Sequence, residues 1–348
     1  MYQTDIKCVL GMDIPWEKLD NKTFLITGAT GMIASVIIDI LMKRNTEYGQ
    51  HIRIYAVSRS RQKAEGRFCT YWDNPNFTWL PHDINNPLPE LGQMDYILHA
   101  ASNTHPRAYS MDPIGTITAN VQGTYHLLEY ASSHQCGRFF FFSSVEIYGE
   151  NRNDVDKFDE KYLGYIDCNT ARAGYPESKR LGEALCNAFS AQKGQDFVIG
   201  RFSRVYGPTM AAEDSKAVAQ FIRKAAAGED IVLKSEGNQL YSYTYVVDAA
   251  SAALYLLLKG EPGSAVNIAD PQSDITLREL ASLLAREAGT RVVFELPDDI
   301  ERAGYSTATK AVLDGIKLAQ LGWKALTPIA QGLDRTVRIL SQIKEREE

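Results

Sequence analysis

Short apolar runs alternate with longer apolar stretches of helical length over the first half of the chain. The runs predict strands over Phe24–Thr27, Ile52–Val57, Phe77–Leu80, Tyr96–Leu98 and Arg138–Ser144, and the longer stretches predict helices over Met32–Lys43 and Ile114–Ser133. The fifth strand contains four consecutive phenylalanines. Nearly all-apolar strands that alternate with helices are typical of a parallel sheet covered on both faces. We therefore expect an α/β fold with a doubly wound, Rossmann-type parallel sheet.

The pattern becomes looser after about residue 175. A helix over Tyr175–Ala191 and a strand over Phe197–Phe202 are still clear, and shorter elements then follow, broken at Gly207-Pro208, Gly237-Asn238 and Pro262-Gly263. Such breaks mark loops within a compact unit. We expect a lead-in over residues 1–21, the Rossmann-type domain mainly over 22–175, and a smaller mixed α/β portion mainly over 176–348. The smaller portion is expected to close over a ligand, with some of its segments returning to the main sheet.

Composition and charge narrow the class of protein. The 348 residues are 45% hydrophobic and 23% charged, as in an ordinary globular protein. The net charge is −6 and the sequence has no basic stripe, so a nucleic-acid partner is not expected. No apolar run reaches membrane-spanning length and no signal pattern begins the chain, so a cytoplasmic protein is expected. The five cysteines are scattered, none in a C-x-x-C pair, which favours reduced thiols and no metal site.

A glycine-rich segment follows the first predicted strand and opens the first helix. Gly28 and Gly31 stand where glycine allows a tight turn and a close approach to a pyrophosphate, whose charge then rests on the helix N-terminus. A dinucleotide site is therefore predicted.

The end of the second strand bears on which dinucleotide binds. It reads Ser58-Arg59, whereas NAD sites usually place an acidic residue there for the ribose 2′-hydroxyl. Serine and arginine can bind a 2′-phosphate, so NADP is expected in preference to NAD. Asp83, after the third strand, is placed either to meet the adenine amino group or to cap a turn.

Candidate chemistry lies at Tyr175-x-x-x-Lys179, at the start of a helix. The spacing puts both side chains on one face, and a lysine ammonium beside a phenol favours the phenolate, so Tyr175 is a candidate base. Ser144 ends the fifth strand, and ligands of parallel sheets bind at the carboxyl ends of the strands. We expect Ser144 to lie beside Tyr175 and the nicotinamide.

With these motifs the chain resembles the extended short-chain dehydrogenase/reductase family, specifically its nucleotide-sugar epimerases and dehydratases, over roughly residues 22–340. The motifs are Thr27–Gly31, His99–Ala101, Asn120–Thr124, Ser143–Gly149, Tyr175–Lys179 and Arg201–Pro208. The resemblance implies a nucleotide-diphosphate sugar as substrate and a transient 4-keto sugar. It also implies a homodimer built through the helices near residues 114–133 and 175–191.

The resemblance further implies roles for individual residues. Ser144, Tyr175 and Lys179 correspond to a catalytic triad in which Tyr175 takes the proton of the sugar 4-hydroxyl while hydride passes to the nicotinamide. The expected cofactor contacts are Gly28, Thr30, Gly31, Met32, Ile33, Ser58, Arg59, Asp83, Ile84, Ala100, Ala101, Ser102, Asn120, Tyr175 and Lys179. The expected substrate contacts are Thr104, Ser144, Arg204 and Tyr241. His99 is expected to support the fourth strand, and Asn120 also to order the active-site region.

Glu146 bears on the reaction that follows 4-oxidation. It occupies the position of a glutamate that removes the C5 proton in the family's dehydratases, whereas 4-epimerases commonly have a small or hydroxyl residue there. Val145 replaces an acidic residue that protonates the leaving hydroxyl in dTDP-glucose dehydratases. A 4,6-dehydratase-type reaction is narrowly favoured over 4-epimerisation.

Three further alternatives remain open. Local motifs match the UDP-glucuronate decarboxylase branch, but Arg204 replaces an asparagine, Tyr241 replaces an arginine, and the segment Tyr305–Lys310 lacks the arginine that decarboxylases use against the substrate carboxylate. Arg59 keeps an NADPH-dependent ketosugar reductase open. A non-catalytic NADP-binding protein is the last alternative, although such proteins usually lose the tyrosine or lysine that is present here.

Overall fold

A computed structural model describes residues 1–104, 110–295 and 309–347. The strands are β1 Thr23–Thr27, β2 Arg53–Ser58, β3 Phe77–Pro81, β4 Tyr96–His99, β5 Arg138–Ser144, β6 Phe197–Phe202, β7 Arg204–Tyr206, β8 Ile231–Leu233, β9 Leu240–Tyr245, β10 Ser264–Ile268, β11 Asp274–Thr276, β12 Val292–Phe294 and β13 Lys310–Ala311. The helices are α1 Tyr2–Leu10, α2 Met32–Tyr48, α3 Arg61–Phe68, α4 Pro113–Ser133, α5 Gly174–Lys193, α6 Ala217–Ala226, α7 Val246–Lys259, α8 Leu277–Ala288, α9 Ile316–Gln320 and α10 Ile329–Glu347.

Seven parallel strands form the main sheet, in the order β10-β6-β5-β4-β1-β2-β3. Alternate side chains of a strand point to opposite faces. Phe140 and Phe142 of β5 accordingly belong to the core that includes α2 and α7, while Phe139 and Phe141 belong to the core that includes α4 and α5. Both faces are covered, and the expected Rossmann-type fold is confirmed.

The strand order places the reversal of the chain between β1 and β4, at the centre of the sheet. The chain runs outwards from β1 through β2 to β3, then returns to β4 on the other side of β1. At such a reversal the loops after neighbouring strands diverge and leave a crevice at their carboxyl ends. The fold therefore creates a ligand site beside the loop that follows β1.

Residues after 202 build a second, smaller layer. Strand β9 is its centre and pairs with β7, β11 and β13, while β8 and β12 form a separate parallel pair. The amphipathic helices α6 and α8 pack on each other and on β8. Strands β6 and β10, which also follow residue 176, belong to the main sheet and not to this layer.

The N-terminal lead-in is ordered against the rest of the chain. Helix α1 packs on α2 and α7 through Ile6 and Val9, which are fully buried. Asp5, on the same helix, accepts a 2.9 Å hydrogen bond from the Tyr245 hydroxyl and forms an ion pair with Arg335. Residues 1–21 are therefore part of the folded unit.

The structure also bears on disulfides, membrane-spanning helices and metal sites. All five cysteines are unpaired thiols. None of the helices in the described ranges is long and apolar enough to cross a membrane. Within residues 1–104, 110–295 and 309–347 there is no group of three or more histidine, cysteine, aspartate or glutamate side chains arranged to hold a metal ion.

Candidate active site

A cavity of about 1130 Å³ lies at the carboxyl edge of the main sheet and extends under the smaller layer. Its walls come from the loops after β1, β2, β4 and β5, from the first turns of α5 and α6, and from β8 and β9. The volume is large enough for a dinucleotide and a second ligand end to end.

The glycine-rich loop forms one end of this cavity. Gly28 has φ +64°, and a Cβ there would lie 2.7 Å from the Cα of Ala101. The Gly31 amide donates to the Gly28 carbonyl at 2.8 Å, and α2 begins at Met32. Free amides at the start of a helix attract an anion. The loop is thus a close backbone cradle that fits the pyrophosphate of a dinucleotide.

A buried histidine braces this cradle. His99 is fully buried, and its two ring nitrogens lie 2.9 Å from the Thr27 Oγ1 and 3.1 Å from the Thr124 Oγ1. Burial, with a smaller contribution from nearby Lys179, lowers the pKa of His99 well below its ordinary value. Thr27 in turn accepts a 3.2 Å hydrogen bond from the Ala101 amide. A neutral His99 therefore joins β1, β4 and α4, in agreement with the supporting role expected for it.

The residues expected at the adenosine end lie along the cavity. Arg59 is exposed at the rim, while the Ser58 hydroxyl accepts a 3.0 Å hydrogen bond from the Trp79 indole and retains its own proton for a ligand. Asp83 accepts a 3.0 Å hydrogen bond from the Asn85 amide through one carboxylate oxygen. The remaining expected cofactor contacts that line the cavity are Thr30, Ile33, Ile84, Ala100 and Ser102.

Three candidate catalytic residues, Ser144, Tyr175 and Lys179, line the cavity. Tyr175 and Lys179 lie one turn apart on α5, and Ser144 ends β5. Lys179 is 2% exposed, and its amine donates to the Phe142 carbonyl at 2.8 Å. Burial lowers the pKa of Lys179 to about 7. Ser144, Tyr175 and Lys179 therefore line the same cavity.

Asn120 does not line the cavity, although it was expected among the cofactor contacts. Its side chain is fully buried between α4 and α5, where its amide donates to the Ser178 hydroxyl at 2.9 Å. Ser178 donates in turn to the Tyr175 carbonyl at 2.9 Å. Asn120 therefore connects α4 to the first turn of α5, and it is buried in this contact and does not line the cavity.

Charged side chains surround the position expected for the sugar. Glu146 lies between two guanidinium groups, 3.6 Å from Arg172 Nη2 and 3.8 Å from Arg204 Nη2. Arg204 stacks on Tyr241, with its guanidinium carbon 3.6 Å from the ring centroid. The Arg204 Nη1 is buried, with no hydrogen-bond partner within the described residues. One carboxylate and two cations thus face the same space.

One predicted substrate contact, Thr104, and one segment that bears on the decarboxylase alternative remain to be located. Thr104 is exposed at the cavity mouth. The segment Tyr305–Lys310, expected to lack a carboxylate-binding arginine, lies outside the described residues as far as residue 308.

Sequence reasoning missed several cavity residues, namely Lys63, Arg172, Lys216, Lys234, Gln239 and Tyr243. Arg172 could have been predicted from the sequence, because it precedes Tyr175 by three residues and so lies about one turn away from it. The others lie on α3, on β9, between β8 and β9, or on the approach to α6, and only tertiary packing brings them to the cavity.

The Rossmann-type sheet, with a cavity at its carboxyl edge, defines the class of dinucleotide-dependent enzymes. Residues 24–269 match the sequence model of the NAD dependent epimerase/dehydratase family. The chain belongs to this family of enzymes, as the resemblance noted in the sequence implied.

The similar proteins and solved structures are named for different enzyme activities. The chain is 29% identical to UDP-glucuronic acid decarboxylase 1 of Danio rerio over 333 residues, which are 94% of this chain and 75% of the relative. A dTDP-glucose 4,6-dehydratase from Streptomyces venezuelae has a TM-score of 0.80 at 23% identity, over 93% of this chain and 98% of that one. The UDP-glucuronic acid 4-epimerase of Bacillus cereus has a TM-score of 0.78 at 20% identity, over 92% of this chain and 99% of that one. The three proteins differ in the reaction that their names give, and the two solved structures share the fold of this chain.

Proposed function

We propose that the protein oxidises the C4 hydroxyl of a nucleotide-diphosphate sugar, using a nicotinamide cofactor, and then transforms the 4-keto sugar. The observation that carries the proposal is the position of Tyr175, Lys179 and Ser144 on one wall of a cavity that begins at the Gly28 cradle. Under this proposal residues 22–175 mainly hold the cofactor and residues 176–348 mainly hold the substrate.

Each of the three side chains has a distinct task in this proposal. Tyr175 accepts the proton of the 4-hydroxyl, and Ser144 hydrogen-bonds the same oxygen. In its ammonium form Lys179 opposes the negative charge that Tyr175 carries as the base, and its bond to the Phe142 carbonyl fixes the amine. The cofactor, when bound, supplies the hydride acceptor. Water is kept out because Tyr175 and Lys179 are both nearly buried.

The test is turnover on a panel of UDP-, dTDP-, GDP- and CDP-sugars, with products resolved by mass and NMR. Tyr175→Phe should reduce turnover by orders of magnitude while leaving cofactor affinity nearly unchanged, because only the proton acceptor is lost. Tyr48→Phe is a matched control, since Tyr48 lies at the far end of α2 from the cavity. Near-normal turnover of Tyr175→Phe on the true substrate would refute the assignment.

For the second half of the reaction we propose 4,6-dehydratase-type chemistry with Glu146 as the base at C5. The 4-keto group acidifies the C5 proton, and Glu146 lines the cavity on the same short segment as Ser144. Ion pairs with Arg172 and Arg204 hold its carboxylate in place. In deuterated water the product should carry deuterium at C5 or C6. A product epimeric at C4, unlabelled and unchanged in mass, would instead identify a 4-epimerase.

The two guanidinium groups favour one second candidate, decarboxylation of a nucleotide-linked uronic acid. Arg172 and Arg204 place two positive charges beside the sugar position, which suits a substrate carboxylate. The relative from Danio rerio carries that activity in its name. Release of carbon dioxide from UDP-glucuronate, with a KM raised by Arg204→Gln, would establish it in place of dehydration.

For the cofactor we propose NADP in preference to NAD. Arg59 is exposed at the cavity rim, and positions 58–61 at the end of β2 carry no acidic residue. A guanidinium without a neighbouring carboxylate in this segment suits a 2′-phosphate, whereas Lys63, which also lines the cavity, is paired with Glu213. Calorimetry should show tighter binding of NADP(H), and Arg59→Asp should reverse the order. A clear preference of the unmodified protein for NAD contradicts the proposal.

We also propose a homodimer located in the cytoplasm. Ile114 on α4 is 76% exposed, and Tyr125 on α4 and Leu181 on α5 are each 47% exposed, so the outer faces of these packed helices carry apolar area that suits a partner. The unpaired state of all five cysteines supports a reducing compartment. Analytical ultracentrifugation should give about twice the mass of the chain, and Ile114→Lys should shift it to the monomer. A monomer at all concentrations rejects the dimer.

A further inference from the structure

A carboxylate lies behind the candidate catalytic residues, on the side away from the cavity. Glu183 of α5 is 9% exposed and accepts a 2.5 Å hydrogen bond from the Ser143 hydroxyl of β5. Arg201 of β6 donates to both of its oxygens, through Nε at 3.0 Å and Nη2 at 2.7 Å. Three donors from two strands therefore hold one side chain of α5.

Both anchors of this carboxylate are next to candidate catalytic groups. Glu183 follows Lys179 by four residues and so lies on the same face of α5, one turn away. Ser143 immediately precedes Ser144 in β5. A single side chain thus links the helix that carries Lys179 to the strand end that carries Ser144.

Apart from Glu183, the groups named around Lys179 do little to stabilise a positive charge on its amine. The amine contacts the Phe142 carbonyl and lies 4.9 Å from the Phe141 ring centroid. His99 from β4 is neutral, and burial raises the pKa of the Cys186 thiol well above neutrality. Glu183 supplies a full opposite charge.

We propose that Glu183 is a positioning residue that keeps the Lys179 amine charged and Ser144 aligned with it. This inference rests on the proposed function, in which Lys179 acts as an ammonium. The physical reason is that desolvation disfavours the charged amine, and a carboxylate one turn away offsets part of that penalty. The strand contacts of Glu183 keep the carboxylate there.

The sign of the effect follows from the charges that face the lysine. Removing the negative charge of Glu183 lowers the Lys179 pKa further, because the favourable interaction is lost. Arg201 faces Glu183 from β6 and stays charged in Glu183→Gln, which acts in the same direction. Side chains four apart on a helix are about 6 Å apart at Cβ, and opposite charges at about that separation interact by about 3 kcal/mol near an effective dielectric constant of about 20. Because Arg201 pairs with both Glu183 oxygens and reduces this attraction, the fall should be about one pH unit or more.

The first readout is the titration of Lys179 itself. In protein labelled at the lysine Cε carbons, the Lys179 resonance is assigned by its loss in Lys179→Met and followed by NMR over pH, without and with NADP. Glu183→Gln should lower the midpoint by about one unit or more. Glu177→Gln is the control, because Glu177 lies on α5 but pairs with Arg180 at the surface. An unchanged midpoint in folded Glu183→Gln overturns the proposal.

A second variant guards against misfolding. Glu183→Gln alone leaves Arg201 without its carboxylate, whereas the double variant Glu183→Gln/Arg201→Met removes both charges. The midpoint should fall in both. If both variants lose the native near-ultraviolet circular dichroism, the carboxylate serves the fold and the proposal is rejected.

The catalytic readout separates this inference from the function on which it rests. Because activity needs the charged amine, the basic limb of the kcat profile should move to lower pH in Glu183→Gln, with KM changed little. A merely structural role would lower kcat at every pH without moving the limb. If Tyr175→Phe stays active, the proposed function fails. If Tyr175→Phe is inactive and the limb of Glu183→Gln does not move, only the inference fails.

Discussion

Replacing Lys179 with methionine removes a buried amine and keeps most of its aliphatic volume. Burial lowers the pKa of this lysine from 10.5 to about 7 in the folded protein. The unfolded chain therefore binds more protons than the folded one between these two values, and the free energy of unfolding rises with pH across that window. Below the window the folded state carries the full penalty of a buried ammonium. Above it the penalty is gone.

The size of the effect follows from the two pKa values. At about 1.4 kcal/mol per unit, the penalty is about 5 kcal/mol at pH 6 and about 2 kcal/mol at pH 9. The Lys179→Met variant does not have this penalty at either pH. The stability of the wild-type protein relative to the variant should therefore improve by about 3 kcal/mol between these pH values. The lost hydrogen bond to the Phe142 carbonyl costs the variant the same at both pH values, so it cancels from this difference.

The assay is urea unfolding of both proteins without cofactor at pH 6 and pH 9, followed by tryptophan fluorescence, with refolding checked. Lys193→Met is the matched control, because Lys193 lies on the same helix and is exposed. Its stability difference from the wild-type protein should not change between the two pH values. If the difference for Lys179→Met is also the same at both, burial does not depress the lysine pKa and the reasoning is refuted.

Two other substitutions test the cradle and the N-terminal helix. Gly28→Ala should weaken dinucleotide binding at least tenfold and destabilise the fold by about 1–2 kcal/mol, because a Cβ at φ +64° meets the backbone of Ala101. Unchanged affinity in calorimetry would show that the loop does not hold the cofactor. Asp5→Asn should cost about 3 kcal/mol, because it leaves Arg335 without its buried partner. Hydrogen exchange should then be faster throughout α1, and an unaltered exchange rate there counts against the role given to this ion pair.

The sequence by itself determined the main sheet and the middle of the site. The apolar run of β5 and its neighbours predicts strands buried on both faces, since no other element hides so many consecutive apolar side chains in so few residues. The Gly28 turn and the spacing of Tyr175 and Lys179 depend only on backbone conformation and helical periodicity. These are local properties, and the structure keeps Tyr175 and Lys179 together at the cavity.

Only the tertiary structure decided which side chains surround Tyr175 and Lys179. Glu146, Arg172 and Arg204 come from the segment after β5, the approach to α5 and the start of β7, and only tertiary packing brings each guanidinium within 4 Å of the Glu146 carboxylate. The same holds for Asn120, whose side chain faces α5 because of how two helices meet. Glu183 looks in sequence like an ordinary helix-surface charge. Its contacts with two strands depend on how α5 lies across the sheet, a long-range arrangement that no local pattern encodes.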